Sequence, residues 1–302
     1  MTPIAYFDGH CDSIDRCLRL NESLIENSGH VDLSRASAFS KYTQIFAMYC
    51  EYERDLPRRV YELHDRFLLE TERASHLITH CRTGADILAS PTPMCALLSI
   101  EGAELIGSAP ERLEEADSWG VRLITLTWNR ANGVSGAHQD QAERGLSDMG
   151  REFMREMQRR EMLVDVSHLS ERGFWDVMKY TEKAVVASHS NARAVCDHTR
   201  NVTDKQICAI AESGGVVGVN LYPFFLGSDA SMERMLRHVD HLLEVGGEQI
   251  LAIGADLDGF DVPGCGMRGI EDIPMLWTAL KAHGYDDALL QKMFYDNWLR
   301  VF

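Results

Sequence analysis

The sequence lacks a long hydrophobic run, a basic leader and any Cys-x-x-Cys pair. No stretch approaches the ~20 apolar residues that a membrane-crossing helix requires, so a membrane partner is not expected. The first residues, Met1 to Asp8, show no basic start followed by an apolar core, so no secretory leader is expected. Prolines number 8 in 302 residues, and no Gly/Ser-rich or Pro-rich tract, charge block or fixed-period repeat interrupts the chain. One domain spanning residues 1–302 is the simplest organisation. Basic residues are also in deficit: 30 Lys and Arg against 46 Asp and Glu give a formal charge of −16. That field repels a polyanion, and no basic patch offsets it, so nucleic acid is not an expected partner. The eight cysteines are scattered and read as reduced, mostly buried thiols of a cytoplasmic protein.

What is present is an alternation. Short apolar runs at Ile4–Phe7, Thr43–Cys50, Cys95–Ile100, Leu123–Thr127, Leu163–Val166, Ala184–Ala187, Val216–Leu221 and Ile250–Ile253 are separated by longer amphipathic segments. The runs are continuously apolar, as parallel strands buried on both faces require. Among the helix signals, Phe153, Met154 and Met157 recur at helical spacing, and Thr203-Asp-Lys-Gln206 reads as a capping box. The stripe Met235, Leu236, Val239, Leu242, Leu243 ends at Gly246-Gly247. Eight strand-like runs with helical crossovers point to a (β/α)8 TIM barrel, an α/β fold, with an open doubly wound sheet as the competitor.

Reactive residues favour the barrel, because they fall just after the runs, on the face where barrel enzymes build their sites. His10 and Asp12 follow the first run, Glu101 the third, His168 the fifth, His189 the sixth and Asp256 the eighth. In an extended His-x-Asp, residues i and i+2 point to one side and can share a cation. Taken alone, Glu101 reads equally well as an ion-pair member, and each of the others reads more readily as a hydrogen-bonded polar group than as a ligand. Together, three imidazoles and two carboxylates suit zinc better than magnesium or calcium, with iron or manganese open as alternatives. Five ligands exceed one tetrahedral site, and a bridging carboxylate would make them enough for two ions. Asp256 is then placed to shuttle a proton from the attacking water to a leaving amine. His238 and His241 read as a solvated helix face without an acidic partner. His30, His64, His76, His80 and His138 show no convergent pattern, and Met149, Met154 and Met157 read as core packing.

Several ordered segments resemble the membrane (renal) dipeptidases, zinc peptidases of the amidohydrolase superfamily. They are Asp8-Gly-His-Cys-Asp12, Ile100-Glu-Gly102, Leu126-Thr-Trp-Asn129, Asp165-Val-Ser-His168, Ser188-His-Ser190, Arg200-Asn-Val-Thr-Asp204, Gly254-Ala-Asp-Leu-Asp-Gly259 and Asn297-Trp-Leu-Arg-Val-Phe302. The resemblance implies a (β/α)8 barrel that cleaves dipeptides, often with a D-residue on the C-terminal side, by attack of a metal-bridging hydroxide, and a homodimer. It implies that His10 and Asp12 bind one Zn2+, His168 and His189 the second, and that Glu101 bridges them. Asp256 becomes the acid/base, and Arg200 the grip on the substrate carboxylate. One position departs. Where mammalian members carry a His that helps hold the substrate carbonyl, this chain has Trp128, which donates one hydrogen bond and carries no charge. Either Trp128, Asn129 or Asn132 takes over part of that work, or the substrate range differs. Two other functions compete: an amidohydrolase acting on N-acyl amino acids, lactones or cyclic amides, and a catalytically silent binding protein on the same scaffold.

Overall fold

Apolar runs that do not alternate need cover on both faces, and a parallel sheet wrapped by helices supplies it. The computed structural model describes residues 3–51, 56–140 and 144–302. In it the strands are β1 (Ala5–Cys11), β2 (Lys41–Met48), β3 (Ile78–His80), β4 (Met94–Glu101), β5 (Val121–Thr125), β6 (Leu163–Asp165), β7 (Val185–Val186), β8 (Val217–Val219) and β9 (Leu251–Ile253). All pair in parallel, in the order β7-β6-β5-β4-β2-β1-β9-β8. The ring closes where Ala187, just past β7, bridges Val217. There the Ala187 N–H donates to the Val216 carbonyl and the Gly218 N–H to the Ala187 carbonyl, each at 2.9 Å. Closure rules out the doubly wound sheet and gives the (β/α)8 barrel. Each of the eight apolar runs supplies one barrel strand. The short β3 was not foreseen, because Ile-Thr-His carries almost no apolar signal; it pairs with β4 outside the ring.

Strand parity sorts the apolar side chains into two clusters. Tyr6, Phe46, Leu98, Ile124 and Val217 pack outward against the helices, while Phe7, Ile45, Leu97, Leu123, Val186 and Ala252 fill the barrel. The helix Asn297–Val301 seals the lower end of that interior. Trp298 is fully buried, stacks on Phe7 at 6.0 Å between ring centroids, and donates its indole N–H to the Ile253 carbonyl at 2.7 Å. Gly9 leaves room for it, since a Cβ there would lie 2.2 Å from the indole.

The helices hold two expectations and correct two others. The Thr203 capping box forms, with Gln206 reciprocating, and opens the helix Asp204–Glu212. Phe153, Met154 and Met157 are buried on the helix Asp148–Arg159, but Met149 is 39% exposed and its end lies against the Gly133 loop, so it is not core. The helix Met232–Gly246 ends with Gly247 at φ 77°. Its buried stripe runs Met235, His238, Val239, Leu242, so His238 sits three residues along the apolar face rather than in solvent. The Ala192 N–H donates to its Nδ1 at 3.1 Å, and its Nε2–H reaches the Leu226 carbonyl at 3.1 Å. His241 does face outward, but with an acidic partner, Asp204, at 2.7 Å.

Burial lowers the His238 imidazole to about 4, so the fold keeps it neutral. In the unfolded chain it titrates near ~6.5, and its contribution to stability is complete above that pH. As pH falls from ~6.5 to ~4 the unfolded state gains the proton first, and on the order of 3 kcal/mol is lost. Denaturant unfolding followed from about pH 7 to about pH 4 is expected to fall more steeply for the parent than for His238→Gln. Parallel curves would refute the assignment.

Candidate active site

The C-terminal ends of the strands gather the acidic and imidazole side chains at one mouth of the barrel. Three overlapping sets have all donor atoms within 4.8 Å: His10, Asp12 and Glu101; Glu101, His168 and His189; His10, His189 and Asp256. The route to this geometry is local. Tyr6 and Asp8 face outward, and simple alternation would send His10 with them. An irregularity in the β1–β2 register between Asp8 and Cys11 supplies the shift that turns His10 inward. Asp12 is not extended as the His-x-Asp reading assumed. It sits at φ −102°, ψ 20° as the first cap of the helix Ser13–Leu20, with its Oδ2 3.6 Å from His10 Nε2. His168 and Asp256 adopt left-handed φ values of 66° and 61°, rare for non-glycine residues and a strain of order 1 kcal/mol each.

Hydrogen bonds fix which imidazole nitrogen is bare. Asp165 Oδ2 accepts from Ser188 Oγ at 2.6 Å, so Ser188 Oγ can only accept from His189 Nδ1–H, at 2.7 Å. His168 Nδ1–H donates to Asn129 Oδ1 at 2.8 Å. Both rings therefore present unprotonated Nε2 atoms, 2.9 Å apart, with Glu101 Oε1 at 3.0 and 3.4 Å. Burial keeps both imidazoles neutral by pushing them well below their usual range, helped by Arg200 for His168 and by His10 for His189. Such a gathering of lone pairs fits a bound cation and little else. The second set agrees. Both ring nitrogens of His10 and Oδ1 of Asp12 are buried without a hydrogen-bond partner among the described residues. Burial would lower His10, but the carboxylates of Glu101, Asp12 and Asp256 raise it to about 10, while burial lifts Glu101 well above the carboxylate range. A protonated imidazole here stands where a metal ion would supply the positive charge.

Asp256 lies at the rim of the same cluster, its Oδ1 3.9 Å from His10 Nε2. Asn220 Nδ2 donates to its Oδ2 at 2.9 Å. Burial and the Asp12 charge raise its carboxyl to about 6, against the pull of His10 and Asn220. Gly259 passes close, since a Cβ there would lie 2.6 Å from both Asp12 Oδ2 and Asp256 Oδ1. Arg200 is buried, donates to the His189 carbonyl at 3.2 Å and Ser190 Oγ at 3.4 Å, and leaves its Nε without a hydrogen-bond partner among the described residues. Burial lowers its guanidinium to about 10, with Asp256 and Glu101 holding it up. A cavity of about 230 Å³ joins these groups and is walled by Tyr49, Trp128, Tyr222, Phe225 and Phe260.

Nine of the ten residues that the sequence offers for the site converge, seven lining the cavity and His10 and His189 within the same donor clusters. Trp128 packs edge-on to Tyr49, with centroids 5.1 Å apart. Asn132 does not reach the cavity. Its amide bonds Glu104, the Leu126 carbonyl and the N–H groups of Val134 and Ser135, which commits it to the loop. Sequence reasoning missed Asp165, Ser188 and Asn220 as supports, although the first two stand inside quoted motifs. It also missed His138, whose ring bonds Asn129 and Thr199.

Asp165 accepts four hydrogen bonds: Ser167 N and Ser188 N on Oδ1, Thr125 Oγ1 and Ser188 Oγ on Oδ2. In Asp165→Asn, an amide N–H2 in place of Oδ2 would push the Ser188 proton toward His189 Nδ1 and place a hydrogen on Nε2 instead. Metal affinity measured by chelator competition should fall about 10- to 100-fold. Unfolding stability should fall by about 1–3 kcal/mol. Unchanged metal affinity would show that Ser188 does not set the tautomer.

Comparison with known proteins agrees with this geometry. The profile of the membrane dipeptidase family, peptidase family M19, matches residues 1–302. A metallopeptidase of Rhodobacter sphaeroides, solved with a phosphinate mimic of the dipeptide L-Ala-D-Ala, superposes with a TM-score of 0.90 at 30% identity, covering 99% of this chain and 98% of that one. The structure of dipeptidase AC, an M19 metallopeptidase, gives 0.91 at 30% identity, covering 100% and 98%. An uncharacterized protein from the pqqA 5′ region of Klebsiella pneumoniae is 36% identical over 73% of this chain and 86% of its own length. An uncharacterized dipeptidase of Schizosaccharomyces pombe is 32% identical over 68% of this chain and 52% of its own length. With donors suited to a metal at the mouth of a (β/α)8 barrel and a family match along its whole length, the chain belongs to the membrane dipeptidase family of metallopeptidases.

Proposed function

We propose that the site holds two zinc ions and hydrolyses the peptide bond of free dipeptides, those with a D-residue on the C-terminal side among them, with residues 1–302 acting as one catalytic domain. His10 and Asp12 hold one ion, His168 and His189 the other, and Glu101 serves both. The observation that carries this reading is the split of the Glu101 carboxylate: Oε2 lies 3.7 Å from His10 Nε2, whereas Oε1 lies 3.0 and 3.4 Å from the Nε2 atoms of His168 and His189. When bound, the ions supply Lewis acidity to polarise the scissile carbonyl and to acidify the attacking water.

The protein's own groups account for the remaining steps. Asn220 occupies Oδ2 of Asp256, so Oδ1, on the His10 side, is the atom that takes the proton from the attacking water and returns it to the leaving nitrogen. A carboxyl raised to about 6 is near enough to neutrality to do both. Arg200 faces the substrate carboxylate with an uncommitted Nε, and a buried guanidinium fork recognises that group bidentately. Trp128 and Asn129, which line the cavity together with Tyr222 and Phe225, contact the substrate. The aromatic walls exclude water around the reacting amide. A cavity of about 230 Å³ is below the ~300 Å³ at the small end of ligand pockets, which favours a substrate of two residues.

The test is a panel of L,L- and L,D-dipeptides, with N-acyl amino acids beside them, offered to zinc-loaded protein with and without chelator. Chelator-sensitive hydrolysis of dipeptides is expected. Cleavage of N-acyl amino acids alone would overturn the substrate assignment. Asp256→Asn should keep its metal while kcat falls by about 10²- to 10⁴-fold. Arg200→Ala should raise KM by about 10- to 100-fold, the worth of a charged hydrogen-bond pair.

A further inference from the structure

His138 belongs to no motif, yet the fold sets its ring between a metal ligand and the segment that carries Arg200. Its backbone N–H donates to the His168 carbonyl at 2.8 Å, and Ala137 bridges Leu169, so the main chain is tied to the end of β6 independently of the side chain. The imidazole then makes two further bonds, with Nε2 2.8 Å from Asn129 Oδ1 and Nδ1 2.9 Å from Thr199 Oγ1. An amide oxygen only accepts, so Nε2 carries the hydrogen and Nδ1 accepts from the Thr199 hydroxyl. The same Asn129 oxygen accepts from His168 Nδ1–H at 2.8 Å. Two imidazole N–H groups thus meet one amide oxygen, and an Asn129 turned end for end would set its N–H2 against both.

We propose that His138 is a positioning residue: by holding Asn129 with its oxygen toward His168, it locks the tautomer that leaves His168 Nε2 free for the metal, and it turns the Asn129 N–H2 toward the substrate. Without His138 the amide has one partner instead of two and can rotate. A rotated Asn129 accepts nothing from His168 Nδ1, and the proton can move to Nε2, where it blocks ligation. Asn129 lines the cavity beside Trp128, so an amide held with its oxygen on the imidazoles has its N–H2 left to donate at the position where the indole offers no cationic group. The Thr199 contact extends the same chain of bonds to the residue before Arg200, so the metal ligand and the carboxylate grip share one support.

The inference rests on the two-zinc reading for the role of His168, and its test is read without substrate as well as with it. Zinc affinity by chelator competition, kcat and KM on L-Ala-D-Ala, and the thermal midpoint are measured for His138→Ala and His138→Gln. Gln keeps an N–H donor and a carbonyl acceptor at similar reach. The Ala variant should bind zinc about 10- to 100-fold more weakly and lose kcat to a similar degree. Its KM should rise as well, since a rotated Asn129 withdraws its N–H2 from the substrate. The Gln variant should recover most of both losses. Parent-like zinc affinity in His138→Ala overturns the proposal, as does a Gln variant that matches the Ala variant in zinc affinity. A protein that cleaves no dipeptide but shows the zinc effect and its rescue would refute the substrate reading alone.

Discussion

The mouth of the barrel depends on holding together buried groups that repel one another. The bare Nε2 atoms of His168 and His189 face one another at 2.9 Å, and Glu101 Oε1 stands 3.0 and 3.4 Å away, all of them buried. Lone pairs at that separation in a poorly polarisable interior oppose one another, and a positive charge among them reverses the sign. A cluster of this kind spreads apart unless the scaffold is stiffer than the repulsion. The rest of the structure reads as the source of that stiffness.

Below these groups lies a polar layer centred on Asp165, which accepts from Thr125, Ser167 and Ser188 and so ties β5, β6 and β7 to one carboxylate. A fully bonded buried carboxylate rigidifies its surroundings where a half-bonded one would weaken them. Below that, the inward apolar side chains and the Trp298 plug fill the barrel, so the polar layer has no room to relax downward. On the far side of the ring, Asp8 accepts from the backbone N–H groups of His10 and Ala255 and joins β1 to the loop that carries Asp256. Asp258, at φ 68°, accepts from Ser13 Oγ and the His30 N–H and anchors the same loop. The left-handed residues His168 and Asp256 lie between these anchors, and that is how their strain is sustained.

How much of this was legible follows from which signals are periodic. The barrel strands were readable because burial on both faces forces continuous apolar runs, and Glu101, His168, His189 and Asp256 were readable because they follow those runs directly. His10 was found for an incomplete reason: its motif was right, but its inward aim comes from a strand irregularity that leaves no mark in composition. His238 was misread because a histidine in an apolar stripe looks polar until its two backbone partners, from Ala192 and Leu226, are brought to it by the fold. Asp165, Asn220 and His138 act through hydrogen bonds to residues 20 or more positions away in several cases, as Asp165 does with Ser188 and Thr125. Such pairs are set when neighbouring strands come into register, and no local pattern announces them.

The position of Trp128 illustrates what a closed site permits. An indole cannot take over from an imidazole as a cation, and Trp128 instead packs edge-on to Tyr49 as part of the wall. The polar work then has to come from a neighbour whose orientation is fixed, because a donor free to turn has to be ordered again for each substrate. Asn132 is spent on its loop, and Trp128 is spent on packing. Asn129 is held at its oxygen by two imidazoles and lines the cavity. The support behind Asn129 runs through His138 to the threonine beside Arg200. One hydrogen-bonded unit thus joins the cavity wall at Asn129, the imidazole of His168 and the segment that carries Arg200.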